Sequence, residues 1–248
     1  MATIAVQEIR PPTLSATSDP PPIFDGTTRL YISYSCPFAQ RVWITRNYKG
    51  LQEKIKLVPI DLQNKPAWYK EKVHPEGKVP SLEHDGKILV ESIDLIKYID
   101  VNFEGPSLYP NDPTKKEFGD QLIKYVDIFT KEMFGSFKGD PVTQTSATYD
   151  YLENALGKYE DGPFFLGEFS LVDIAYITFV ERFQLVSSEI YKHDITAGRP
   201  KLATWIEEVN KNNAYKQTKP ENPQEFVDFV KKRFLVLVSR KHEMATGV

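Results

Sequence analysis

The chain has 248 residues, of which 41% are hydrophobic and 26% charged, and its formal net charge is −3. That is the composition of a globular protein with a sizeable core, in one large domain or two small ones, without the clustered basic face that nucleic acid requires. No apolar run approaches the roughly eighteen residues of a membrane helix, and one cysteine with no Asn-x-Ser/Thr sequon argues against a disulfide-stapled secreted scaffold and for a reducing, cytoplasmic setting.

Residues 1–26 carry prolines at 11, 12, 20, 21 and 22 together with Glu8 and Asp19, and they lack a secretory apolar core. They read as a proline-rich arm, mobile or draped on the surface. Ser/Thr content leaves a plastid address open, although a single arginine suits one poorly.

From Arg29 to Asn102, within an expected domain 27–103, short strand-like runs alternate with helical stretches. Leu30–Ser33 and Ile55–Ile60 read as strands, Pro37–Lys49 as a helix, and Pro66–Val73 as a helix with proline at its first position. Pro80–His84 and Lys87–Val90 flank Asp85-Gly86, a strong hairpin signal. Ser92–Asn102 then places Leu95, Ile96, Tyr98, Ile99 and, just beyond, Phe103 at helical spacing. The order β-α-β-α-β-β-α predicts a small mixed sheet with a parallel start and an antiparallel end.

Residues 104–112, with prolines 106 and 110, read as a linker, and 113–248 as an all-helical domain. There Ser170-x-x-Asp173 has the form of a capping box ahead of Leu171, Ile174, Ala175, Thr178 and Phe179. Pro200 starts a helix with Leu202, Trp205, Ile206 and Val209 inward. A last helix turns Phe226, Phe229 and Val230 inward and exposes Lys231-Lys232-Arg233.

The chemistry centres on Cys36, the only cysteine, in Ser35-Cys36-Pro37-Phe38-Ala39-Gln40-Arg41 at a strand-to-helix corner. Helix-start N–H groups and the positive end of the helix dipole favour thiolate over thiol there, whereas a buried cysteine would be an inert small hydrophobe. Position 39, where a dithiol oxidoreductase keeps its resolving cysteine, holds Ala39. Any mixed disulfide must therefore be resolved by a thiol from outside.

Three other features flank this one in sequence. Val79-Pro80 either opens an edge strand with an ordinary trans bond or carries a cis bond that offers Val79 backbone groups to a peptide-like ligand. Ser92 serves either as a helix N-cap or, with its helix N-terminus, as a carboxylate site beside which Glu91 holds an ammonium. Lys65 and Lys78 are surface lysines unless the ligand is anionic. The histidines at 74, 84, 193 and 242 show no metal-ligand spacing, so no metal is expected.

Together, Cys36-Pro37-Phe38-Ala39-Gln40-Arg41, Lys65-Pro66-x-Trp68, Lys78-Val79-Pro80-Ser81-Leu82 and Glu91-Ser92 resemble cysteine-type glutathione transferases, above all the plant lambda class, with the omega class a near relative. The resemblance runs from about Arg29 to Phe234. It implies a thioredoxin-like α/β N-terminal domain followed by an all-α domain that contributes the second-substrate site. Cys36 would be catalytic and glutathione the co-substrate. Phe38, Lys65, Lys78, Val79, Pro80, Glu91 and Ser92 would bind it, Val79 pairing with the cysteinyl backbone beside a cis Pro80, Glu91 and Ser92 holding the γ-glutamyl headgroup, and Lys65 facing the glycyl carboxylate. The implied activity is thiol transfer: deglutathionylation of conjugates and mixed disulfides, and reduction of small oxidants such as dehydroascorbate. The expected protein is a monomer whose partners are small glutathione conjugates, disulfides or flavonoids, not nucleic acid or membrane. Two alternatives share the fold: a glutathione- or flavonoid-binding carrier without turnover, and a chloride-channel-like protein, against which the missing basic-apolar segment near Cys36 counts.

Overall fold

The structure is a computed structural model and describes residues 8–235. It divides into two compact units. Among the described residues, one comprises 8–108 with Asn210–Pro220, the other Tyr109–Val209 with 221–235.

The first unit is built on a four-stranded sheet of order β2-β1-β3-β4, with β1 Thr28–Ile32, β2 Ile55–Pro59, β3 Ser81–His84 and β4 Lys87–Val90. β1 runs parallel to β2 and antiparallel to β3, and β3 pairs with β4. Leu30, Tyr31 and Ile32 are wholly buried, as a central strand covered on both faces must be. Asp85 and Gly86, at φ 49° and 71°, form the tight turn with two left-handed residues that matches the twist of a hairpin. The helices are α1 Pro37–Tyr48, α2 Ala67–Lys72 and α3 Ser92–Asn102. The expected strands and helices are all present, with two corrections at helix starts. Pro66 sits at the N-cap of α2, not at its first position, because its ψ of 137° is extended. Ser92 is the first helical residue of α3 and Glu91 occupies the N-cap position.

Helix α1 is the unit's polar centre. Gln40, Arg41, Thr45, Arg46 and Asn47 are all buried, so each needs a hydrogen-bond partner. The Gln40 amide donates to the Thr218 carbonyl and hydroxyl oxygens, both at 3.2 Å, in the returning segment that contains the short helix α8 Asn213–Lys216. Arg46 donates to the Ile55 carbonyl at 2.6 Å and pairs with Glu8. Residues 8–26 of the proline-rich arm lie on this unit. Leu14 N donates to Pro59 O at 2.8 Å, and Arg10 caps the rings of Tyr34 and Trp43 at 5.4 and 5.0 Å.

The second unit is helical: α4 Pro113–Ser136, α5 Pro141–Leu156, α6 Leu171–Tyr191, α7 Pro200–Lys211, whose last two residues belong to the first unit, and α9 Gln224–Val230, followed by a π turn over Lys231–Leu235. Asp112 and Asp140 cap α4 and α5. The capping box of Ser170 and Asp173 starts α6, whose residues from Leu171 to Val180 are all buried, a central helix rather than one with a single apolar stripe. Trp205 packs against Phe165 at 5.2 Å and donates its indole N–H to Asp173 at 2.7 Å. At α9 the inward residues are Val227 and Val230. Phe229, expected inward, is 49% exposed, because Val227 and Val230 are three apart on one face and Phe229 falls beside it.

Candidate active site at one end of the sheet

Strand register gathers the site. Ile32 lies opposite Pro59, Tyr31 opposite Ser81, and Ser81 opposite Val90. The segments that leave β1 and β2, enter β3 and leave β4 therefore all meet at one sheet end. These segments carry Cys36, Lys65, Val79-Pro80 and Glu91-Ser92, so the topology draws together residues up to 56 positions apart.

Cys36 holds the N-cap position of α1 with extended backbone (φ −81°, ψ 118°), and Pro37 opens the helix. Its side chain makes no capping bond, which leaves the sulfur turned toward the strand entrance. The half-buried thiol donates a long contact to the Val79 carbonyl, with Sγ 3.8 Å away. The Val79–Pro80 bond is cis. Among the described residues nothing accepts from the Val79 N–H. That end of the sheet thus presents an unpaired backbone donor beside a cysteine sulfur.

Glu91 is exposed and adopts φ 70°, ψ 112°, a left-handed backbone that a residue with a Cβ adopts only when its surroundings force it. Its neighbours do so. Val90 is paired in the sheet with Ser81, and the Glu91 carbonyl accepts the first bond of α3 from Leu95 at 2.9 Å. Its carboxylate bonds to none of the described side chains, and its charge reaches Lys78. Lys78 is exposed, pairs with Glu76, and is raised above the usual lysine range chiefly by that bond. Lys65 forms no ion pair among the described residues, and its stem flanks Gly77. Ser92 is buried, and its hydroxyl accepts from Arg41 at 3.2 Å. Phe38 is 39% exposed, with the Arg41 guanidinium 5.4 Å from its ring centre.

Arg41 and Tyr69 belong to this region and were not singled out by sequence reasoning. Arg41 closes the motif that begins at Cys36, and an arginine on a helix among apolar neighbours is the signal that could have marked it. Tyr69 is wholly buried, and burial raises its phenol far above the usual range. No sequence pattern distinguished it from a core aromatic. Among the described residues no three His, Cys, Asp or Glu side chains converge as metal ligands would.

A mixed four-stranded sheet with a cysteine at the first helix start, followed by a helical unit, defines a two-unit transferase fold, and sequence comparison gives its family. Residues 30–107 match the glutathione S-transferase N-terminal domain and 142–208 the C-terminal domain. Glutathione S-transferase L3 of Arabidopsis thaliana is 68% identical over 228 residues, which cover 92% of this chain and 97% of that protein. Mouse glutathione S-transferase omega-1 is 31% identical, with 77% and 79% covered. The crystal structure of rice GST1 in complex with glutathione shares the fold, with a TM-score of 0.66 at 22% identity over 86% of this chain and 96% of that one. The chain belongs to the glutathione transferase family, in its lambda class and related to omega.

Proposed function

We propose that this glutathione transferase works as a monothiol thiol transferase with Cys36 as its nucleophile and glutathione as its co-substrate. The observation that carries the reading is the sulfur of Cys36 at a helix start, 3.8 Å from the carbonyl of a Val79 whose N–H has no partner among the described residues. A peptide thiol that pairs its backbone with Val79 brings its own sulfur to Cys36, in the manner of strand addition. The γ-glutamyl ammonium falls to Glu91, its carboxylate to the α3 start at Ser92, and the glycyl carboxylate to Lys65, with Phe38 and Lys78 at the margins. The complex of the rice relative with glutathione supports the choice of ligand.

In the first step the Cys36 thiolate attacks the glutathione sulfur of a disulfide. The old S–S bond breaks, the departing thiolate takes a proton from solvent, and Cys36 carries the glutathionyl group. On a conjugate the same attack breaks the carbon–sulfur bond, and the released carbanion is protonated. A second glutathione thiolate then attacks the enzyme-bound sulfur, which restores Cys36 and yields oxidised glutathione. No internal thiol can resolve the adduct, because the chain holds one cysteine.

Intact-mass spectrometry tests this. Oxidised glutathione should add about 305 Da, reduced glutathione should remove it, and Cys36→Ser should show neither. A wild-type protein that binds glutathione yet forms no adduct would instead be a carrier.

A further inference from the structure

The geometry points to the Tyr69 hydroxyl as the positioning group that aims the Val79 backbone at the ligand. This inference rests on the proposed pairing of glutathione with Val79. The hydroxyl lies 2.7 Å from the Lys78 carbonyl oxygen and 3.1 Å from the Ser81 hydroxyl. These two residues bracket Val79-Pro80. A carbonyl only accepts, so Tyr69 donates to Lys78 and accepts from Ser81. The Lys78 carbonyl and the Val79 N–H belong to one planar peptide unit and point in opposite directions. Drawing that carbonyl inward to Tyr69 therefore turns the Val79 N–H away from the core.

Three observations make the anchor stiff. Tyr69 and Ser81 are both fully buried, so water does not compete for the hydroxyl. The Tyr69 ring is wedged between Tyr31, at 5.5 Å, and Trp68, at 6.0 Å. Ser81 is itself fixed, as the residue paired with both Tyr31 and Val90. Without the hydroxyl the ring still fills its space, but the Lys78–Val79 peptide plane is no longer held in one orientation. The ligand must then order it on binding.

The test is binding of S-methylglutathione, which pairs through its backbone but offers no thiol, followed by calorimetry. Tyr69→Phe should weaken its binding about five- to tenfold, the loss of one well-made hydrogen bond. It should raise KM for glutathione to match, with kcat and the pH profile of Cys36 alkylation within about twofold of wild type. A purely structural role would shift unfolding without this split between KM and kcat. If the orphaned Ser81 hydroxyl prevents folding, Tyr69→Phe with Ser81→Ala removes it and should show the same loss of affinity. Equal binding by wild type and either folded variant would overturn the role of Tyr69 alone. Failure of the wild type to bind S-methylglutathione would overturn the pairing with Val79, and the inference with it.

Discussion

At the scale of single residues the site sets an unusual backbone against its surroundings. Glu91 holds φ 70° with a full side chain, a conformation that costs on the order of 1–3 kcal/mol and clusters at ligand sites. Glycine at 91 relieves that cost and removes the carboxylate. Glu91→Gly should therefore raise stability to urea by about 1 kcal/mol while weakening glutathione binding by about 1–3 kcal/mol. Glu91→Ala should show only the second effect. Equal stability of the two variants would mean that the backbone at 91 is unstrained. At Cys36 the helix start has a simpler consequence: iodoacetamide alkylation followed against pH should inflect below about 8.5, the ordinary thiol value. The placing of Cys36 at a helix start was legible in the sequence, because cysteine before proline at a strand-to-helix corner has a local physical meaning. The contacts of Arg41 and Tyr69 were not, since Arg41 meets Ser92 51 residues away and Tyr69 donates to the Lys78 backbone carbonyl.

At the scale of elements, helix α6 depends on an acid buried beyond the reach of water. Asp173 accepts from the backbone N–H of Phe165 and Ser170, from the Ser170 hydroxyl and from the Trp205 indole. Burial nevertheless outweighs these bonds and pushes its carboxyl up to about 6. A raised carboxyl means that the folded chain holds this proton more tightly than the unfolded one. Asp173 therefore lowers stability as pH rises from about 4 to 6, by about 3 kcal/mol once fully ionised. Asparagine does not titrate and offers one acceptor to four donors. Asp173→Asn should be less stable than wild type by the widest margin at pH 4, the gap narrowing by up to about 3 kcal/mol at pH 7 in urea unfolding. A gap independent of pH would refute the assignment. The capping box itself could be read from Ser170-x-x-Asp173. That its acid also anchors Trp205 could not, because that contact joins the start of α6 to the middle of α7, 32 residues on.

At the scale of the whole molecule the chain leaves its first unit after Leu108 and returns to it at Asn210–Pro220. The return supplies hydrogen-bond partners to α1, among them the Thr218 oxygens for the Gln40 amide. A fragment ending at Leu108 should thus unfold at lower urea than the full chain followed by tryptophan fluorescence, and Gln40→Ala in the full chain should cost about 1–2 kcal/mol. A fragment as resistant as the intact protein would show that the returning segment contributes nothing. The arm behaves similarly. Its acidic residue Glu8 pairs with buried Arg46, a contact joining residues 38 positions apart.

The sequence by itself determined the order of strands and helices, the hairpin at Asp85-Gly86, the α6 capping box and the single thiol, because these rest on local spacing and on residue types with few conformational options. Through its motifs it also determined the family. Only the tertiary structure decided that Val79 presents beside Cys36 an N–H unpaired among the described residues, that Ser92 follows a strained N-cap at Glu91, and that Asn210–Pro220 belongs with the first unit. Each of these is set by pairing between distant segments, where a hydrogen bond or a buried face is satisfied by whatever the fold brings alongside. Local sequence does not name that partner.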